Sequence, residues 1–194
     1  MDLKVVLGVC SLVVASVGYV PYINNVLRKR TKPHAYSWLV WAVLGLVGFG
    51  IQVQGKGGPG SWLLGLTVAA TLFIFILSLL YGHKDIQIVD KVSLLFAGIA
   101  FVFWIATDQP LIAAVLITLV EAVGGFFPTF RKSYSNPYEE TAFAYFTYAT
   151  SICFSLLALE VYSLTNILYP GVVFFMNVSL FAFLLVRRSR VKPQ

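Results

Sequence analysis

Seven stretches of this chain are each long and apolar enough to cross a lipid bilayer, and short polar breaks separate them. They run roughly over 3–27, 36–54, 61–82, 88–107, 110–130, 138–162 and 165–187. A spanning helix needs about 20 mostly apolar residues. Hydrocarbon offers no water to an irregular backbone, so each stretch is expected to be helical. The breaks read as chain turns: Gly55-Lys56-Gly57-Gly58-Pro59-Gly60 cannot continue a helix, Gly82-His83-Lys84-Asp85 is polar, and Asp108-Gln109-Pro110 turns tightly. Composition agrees, with 59% hydrophobic and only 11% charged residues, where a soluble domain carries about 25% charged. The first stretch lacks a small-residue cleavage site and further spans follow it, so it reads as a retained helix.

The net charge of +6 sits in clusters at the ends of apolar stretches. That placement suits membrane anchoring and argues against a nucleic-acid partner. Arg28, Lys29, Arg30 and Lys32 lie in the first loop, Lys84 and Lys91 in the third, Arg131 and Lys132 in the fifth, and Arg187, Arg188, Arg190 and Lys192 in the tail. The second loop holds only Lys56, and the fourth and sixth hold no basic residue. This alternation predicts seven helices in a multi-pass cell-membrane protein, with the N-terminus outside and the C-terminus cytoplasmic. Cys10 and Cys153 lie in apolar stretches without a CxxC spacing and read as packing residues.

One pattern is written twice. Val17-Gly18-Tyr19-Val20-Pro21 leads to Arg28-Lys29-Arg30, then to Pro33-His34-Ala35-Tyr36-Ser37 and Trp41. Val123-Gly124-Gly125-Phe126-Phe127-Pro128 leads to Arg131-Lys132, then to Pro137-Tyr138-Glu139-Glu140-Thr141 and Tyr145. The first copy joins helices one and two, and the second joins helices five and six. The expected fold is therefore all-α, with two three-helix repeats joined by one linker helix: 1–84, 85–109 and 110–194. An odd linker gives both repeats the same orientation, so they are parallel.

This layout resembles the SWEET and PQ-loop (MtN3-like) transporters, whose fold nicotinamide riboside transporters share. The resemblance lies in the three-one-three plan and in Pro21 followed by Arg30-Thr31 and then Ser37. Tyr22 and Thr129 stand where that family has a glutamine after the proline. It implies a transporter, and it implies that Asn177, midway along the last helix, binds substrate.

Polar residues inside the spans supply the candidate site. Asn177 is an amide in hydrocarbon and should face the bundle interior or bond two helices; counting from the helix ends places it opposite Thr71. Glu121 lies deep in the fifth span, on a stripe with Thr118, Gly125 and Pro128. It could recognise a cationic or hydroxylated solute, carry a proton, or clamp a neighbouring helix. Tyr145, Tyr148 and Ser155 form a stripe on helix six, and Ser37, Trp41 and Gln52 form one on helix two; both stripes could line a pathway. Pro21 and Pro128 are expected hinges, with Ser37 and Thr141 beside them as gate residues. Asn136, Pro137 and Glu139 read as the N-cap and first turn of helix six. His34 and His83 are lone loop histidines, and no metal site is expected.

The expected function is a secondary transporter or facilitator of a small polar solute, working by alternating access between the two repeats. The expected partners are that solute, the lipid bilayer and a further copy of the chain in a homo-oligomer. No cofactor is expected, and Glu121 offers a route for proton coupling. The alternative is a receptor or scaffold of the KDEL-receptor kind that transports nothing. An enzyme is not expected: no HExxH, nucleophile elbow, cysteine pair or acidic metal cluster is present, and the last helix lacks a Schiff-base lysine.

Overall fold

Every apolar stretch becomes helix in the computed structural model of the chain, which describes residues 2–30, 32–82 and 88–191, apart from the side chains of Lys132 and Glu139. No strand occurs among these residues. The helices are α1 (Leu3–Leu27), α2 (Ala35–Gln54), α3 (Trp62–Tyr81), α4 (Ile88–Ala106), α5 (Pro110–Val120), α6 (Phe127–Ser135), α7 (Ala142–Leu157) and α8 (Leu164–Arg190). A six-residue π-helical turn, Glu121–Phe126, fuses α5 and α6 into one segment, Pro110–Ser135. Thr31, His83, Lys84, Asp85 and Lys192, all expected in polar or basic turns, lie outside the described residues.

Among the described residues, six helical segments are long and apolar enough to cross a membrane. The outer surface is apolar as well: Leu95, Phe96, Val102 and Ile105 of α4 and Phe175 of α8 are all exposed. Water would penalise such a belt, and lipid tails accommodate it. The chain is thus an all-helical protein built for multiple membrane passes.

The seventh segment departs from expectation. The stretch 138–162 is helical only over the 16 residues Ala142–Leu157, about 24 Å of rise against a hydrocarbon core of about 30 Å. At its start, Pro137–Glu139 forms a separate 3-10 turn, and the helix is capped by Thr141, whose side chain makes no capping bond. This corrects the reading of Asn136, Pro137 and Glu139 as the first turn of the helix. The cause is α8: Arg188 donates to the carbonyls of Pro137 and Glu140, and the Tyr138 hydroxyl donates to the carbonyls of Arg188 and Val191. At the other end, α7 stops where Leu159 packs on the glycine loop after α2. A Cβ on Gly60 would lie 2.6 Å from Leu159 Cδ2 and 2.8 Å from its Cα, so only glycine lets the two segments meet. The basic pair after Pro128 also differs, because Arg131 lies on α6 rather than in a loop.

Within 1–84, α3 packs against both α1 and α2; within 110–194, α8 packs against both α5 and α7. The two groups touch where α1 meets α7, where α2 meets α5 and α8, and where α3 meets α7. Helix α4 leans on α2 and α5 and buries only Ala97 and Ala100 completely.

Candidate functional site

A cavity of about 60 Å³ opens between α2, α4 and the widened turn after α5. Its mouth lies at the first turns of α2 and α4, beside Tyr36, Ser37 and Asp90. Its floor is made by Glu121, Gly124 and Gly125, with Trp41 and Ser93 on the walls. Glu121 is eleven residues into a segment that starts at Pro110, about 16 Å along the helix axis. The carboxyl therefore sits near the middle of that segment.

Pro128 explains the shape of the floor. It has no N–H, and its ring clashes with the carbonyl four residues back, that of Gly124. The chain answers by widening the turn: the Phe127 N–H reaches five residues back to the Ala122 carbonyl. Such widened turns recur at functional sites because they re-aim side chains and free backbone. The two glycines then let neighbours approach. A Cβ on Gly124 would lie 2.9 Å from Ser93 Oγ, and one on Gly125 would lie 3.1 Å from Glu121 Oε1 and 3.9 Å from Trp41 Nε1.

The Trp41 indole is the hydrogen-bonding neighbour of the Glu121 carboxyl. Glu121 Oε2 is buried without a partner. Trp41 is itself held edge-on by Trp38 at 5.1 Å between ring centroids, and Trp38 by Tyr22 at 5.0 Å. At the mouth, His34 Nδ1 is 3.1 Å from Ser37 Oγ, and His34 Nε2 is 3.5 Å from Asp90 Oδ2. His34 is thus not a lone loop histidine: it ties α2 to α4.

A second polar group, at the opposite end of the bundle, spends its donors on bonds between segments, while its acceptors Gln52 Oε1 and Asn166 Oδ1 are buried without a partner. Gln52 Nε2 donates to the Asn166 carbonyl (2.9 Å), and Asn166 Nδ2 donates to the carbonyls of Gly55 and Val161 (both 2.8 Å). Ser155 Oγ donates to the Gly60 carbonyl (2.7 Å), and the Glu160 N–H donates to that of Gly57. Lys4 Nζ donates to the carbonyls of Leu157 (2.9 Å) and Leu159 (2.7 Å), lying over the Tyr162 ring. This knot joins α1, α2, α7, α8 and the 3-10 turn before α3.

Of the residues singled out from sequence, Glu121, Trp41 and Ser37 share the cavity. Gln52 and Ser155 are held in the knot. Thr71 Oγ1 donates to the Thr67 carbonyl of its own helix (2.7 Å), and Asn177 Nδ2 to that of Val173 (2.8 Å). Tyr145 donates to Glu140 Oε2 (2.6 Å), and Tyr148 meets Tyr19 edge-on at 5.8 Å. Pro21 lies inside α1, which runs on to Leu27; Thr141 caps α7. None of these lines the cavity.

Ser93 and Asp90 are the wall residues that sequence reasoning left in a linker. The signal was present: Asp90, Ser93, Ala97 and Ala100 recur at steps of three and four, the mark of a buried helix face. Among the described residues, no three or more His, Cys, Asp or Glu side chains group as a metal site. No family model, curated protein or solved structure matches this chain.

Proposed function

We propose that the protein is a secondary carrier or facilitator for a small polar solute, working by alternating access. The observation that carries this reading is the cavity beside a carboxyl halfway along an apolar helical segment, while a knot ties the opposite end of the bundle. An acid within a span is costly wherever it faces, and a carboxyl held beside a cavity fits a polar pathway.

The two helix groups, 1–84 and 110–194, are read as parallel repeats with 85–109 as linker. Two observations support this. The third helix of each group packs against both of the others, and the helix contacts between groups exchange in pairs under the repeat, α1–α7 with α2–α5 and α2–α8 with α3–α7. The basic end, with Arg28, Lys29, Arg30, Arg131, Arg187 and Arg188, is taken as cytoplasmic. The cavity then faces inward and the knot closes the outside. Rocking of the groups about these contacts would open the knot and close the mouth at His34, Ser37 and Asp90, with the turn before Pro128 as the place that yields.

The test is uptake by the purified protein in proteoliposomes, with sugars, amino acids, nucleosides and vitamins offered in turn. One solute should enter down its gradient, and Glu121→Ala should abolish that entry while the variant still folds. Absence of flux for every solute, together with a stoichiometric protein partner recovered by pull-down, would replace the carrier with a receptor.

A further inference from the structure

A second hollow, an open groove of about 870 Å³, runs along the outer face of α4. It follows one stripe of that helix: Lys91, Leu95, Gly98, Val102 and Ala106 recur at steps of four, three, four and four, which puts them on one side. The other side of α4 is already spent, with Ala97 and Ala100 buried where the helix leans on α2 and α5. Gly98 shapes the groove. A Cβ there would meet nothing within 4 Å, so the glycine leaves open space between the exposed Leu95 and Val102.

The groove is apolar along its length and polar only at its ends, with Tyr36 and Lys91 at one and Thr107 at the other. Lys91 is the fourth residue of α4 and is exposed. Among the described residues no carboxylate lies within ion-pair distance of it, and the neighbouring Asp90 is turned to His34 across 3.5 Å. An apolar slot with a cation at one end fits an amphiphile with an anionic head. A lysine suits the junction, because its stem lies on apolar surface while its ammonium reaches the water layer. The lengths agree as well. Gly98 stands seven residues beyond Lys91, about 10 Å along the axis, and the hydrocarbon of one leaflet is about 15 Å deep, half of the core. A second copy of the chain fits less well. Arg28, Lys29 and Arg30 follow α1 at this same end of the bundle, beside the start of α2. A copy related by rotation about the membrane normal would set basic groups against basic groups, whereas an anionic lipid neutralises them.

We infer that the groove on α4 holds one acyl chain of an anionic phospholipid, with the lipid phosphate on Lys91. Tyr36 lines both this groove and the mouth of the Glu121 cavity, so the bound lipid stands beside that mouth and braces α4 against α2. Binding does not depend on the carrier reading.

The experiment is thermal unfolding of the full-length, delipidated protein in detergent at constant salt and pH. Phosphatidylglycerol and phosphatidylcholine with the same acyl chains are titrated in turn, and native mass spectrometry counts the lipids retained. A ligand of the native state raises the melting temperature by mass action. The wild-type midpoint should rise saturably, by several degrees, with phosphatidylglycerol and much less with phosphatidylcholine, and one phosphatidylglycerol should stay on each chain. Lys91→Gln should remove the preference between the two lipids. Gly98→Leu, which fills the groove, should flatten both titrations. Equal rises with the two lipids, or a preference that survives Lys91→Gln, would overturn the site. The same rise with inorganic phosphate would overturn it in favour of a free anion. A lipid-free dimer that Gly98→Leu dissociates would overturn it in favour of a second copy. If Gly98→Leu fails to fold, Lys91→Gln decides alone, since its side chain is exposed and the fold does not lean on it.

Discussion

The two polar regions of this bundle use similar residues to opposite ends. In the outer knot, Asn166, Ser155, Lys4 and the Gln52 amide spend their donors on backbone carbonyls of other segments. In the cavity, Glu121 Oε2 has no partner and Gly124 and Gly125 keep the space beside it clear. Gln52 Oε1 and Asn166 Oδ1 in the knot are buried without a partner as well, so the two regions differ in their donors: those of the knot bridge separate segments, and each bridge broken orphans a buried carbonyl. The knot should therefore govern stability, and the cavity should govern function.

Mutations at the knot carry the largest expected effect. Asn166→Ala leaves the carbonyls of Gly55 and Val161 without their donor, both contributed by Nδ2. Each orphaned buried group costs roughly 1–3 kcal/mol, so a loss of about 3 kcal/mol is expected in reversible unfolding. Gly60→Ala comes next, at about 2 kcal/mol, because the new Cβ would press on the Leu159 backbone as well as its side chain. If either variant unfolds like wild type but loses uptake, the knot is part of the pathway and the division of labour is wrong.

The sequence made the helices easy to read and the partners hard. Six spans are set by apolar runs and by glycine or proline breaks, which act locally, and their bounds fall close to the expected ones. The end of α7 is set from a distance, by Gly60 against Leu159 and by Arg188 on the carbonyls of Pro137 and Glu140, so periodicity overran it on both sides. The site divides the same way. Glu121 stands out because an acid within a span is costly wherever it faces. Gln52 and Asn166 look alike in sequence, and only the glycine loop between them shows that they are bonded to each other's surroundings. Ser93 is a small residue on a helix read as a linker, and its place on the cavity wall follows from α4 leaning on both α2 and α5.

Lys4→Met sits lower on the scale. Lys4 closes the C-terminal end of α7 through the carbonyls of Leu157 and Leu159 and lies 4.6 Å from the centre of the Tyr162 ring. Cations favour that end of a helix, and a half-exposed cation over an aromatic ring adds about 0.5–1 kcal/mol. A loss of about 1 kcal/mol is expected from the thermal midpoint, shrinking as salt is raised because part of the term is electrostatic. A variant as stable as wild type at low salt would show that the α1–α7 contact needs only its apolar packing.

Glu121→Gln should change stability least of all and function most. The amide keeps the volume, so the fit against Gly125 is unchanged, and it can still accept from the Trp41 indole. The second carboxyl oxygen has no partner to lose, so the midpoint should stay within about 1 kcal/mol of wild type. Uptake should fall at least about tenfold, the equivalent of about 1.4 kcal/mol in the transport barrier. Activity thus falls here while stability holds, whereas in Asn166→Ala they fall together. The reverse result, a destabilised Glu121→Gln that transports normally per folded molecule, would make the carboxyl a helix clamp like the knot, and the cavity would lose its claim to be the pathway.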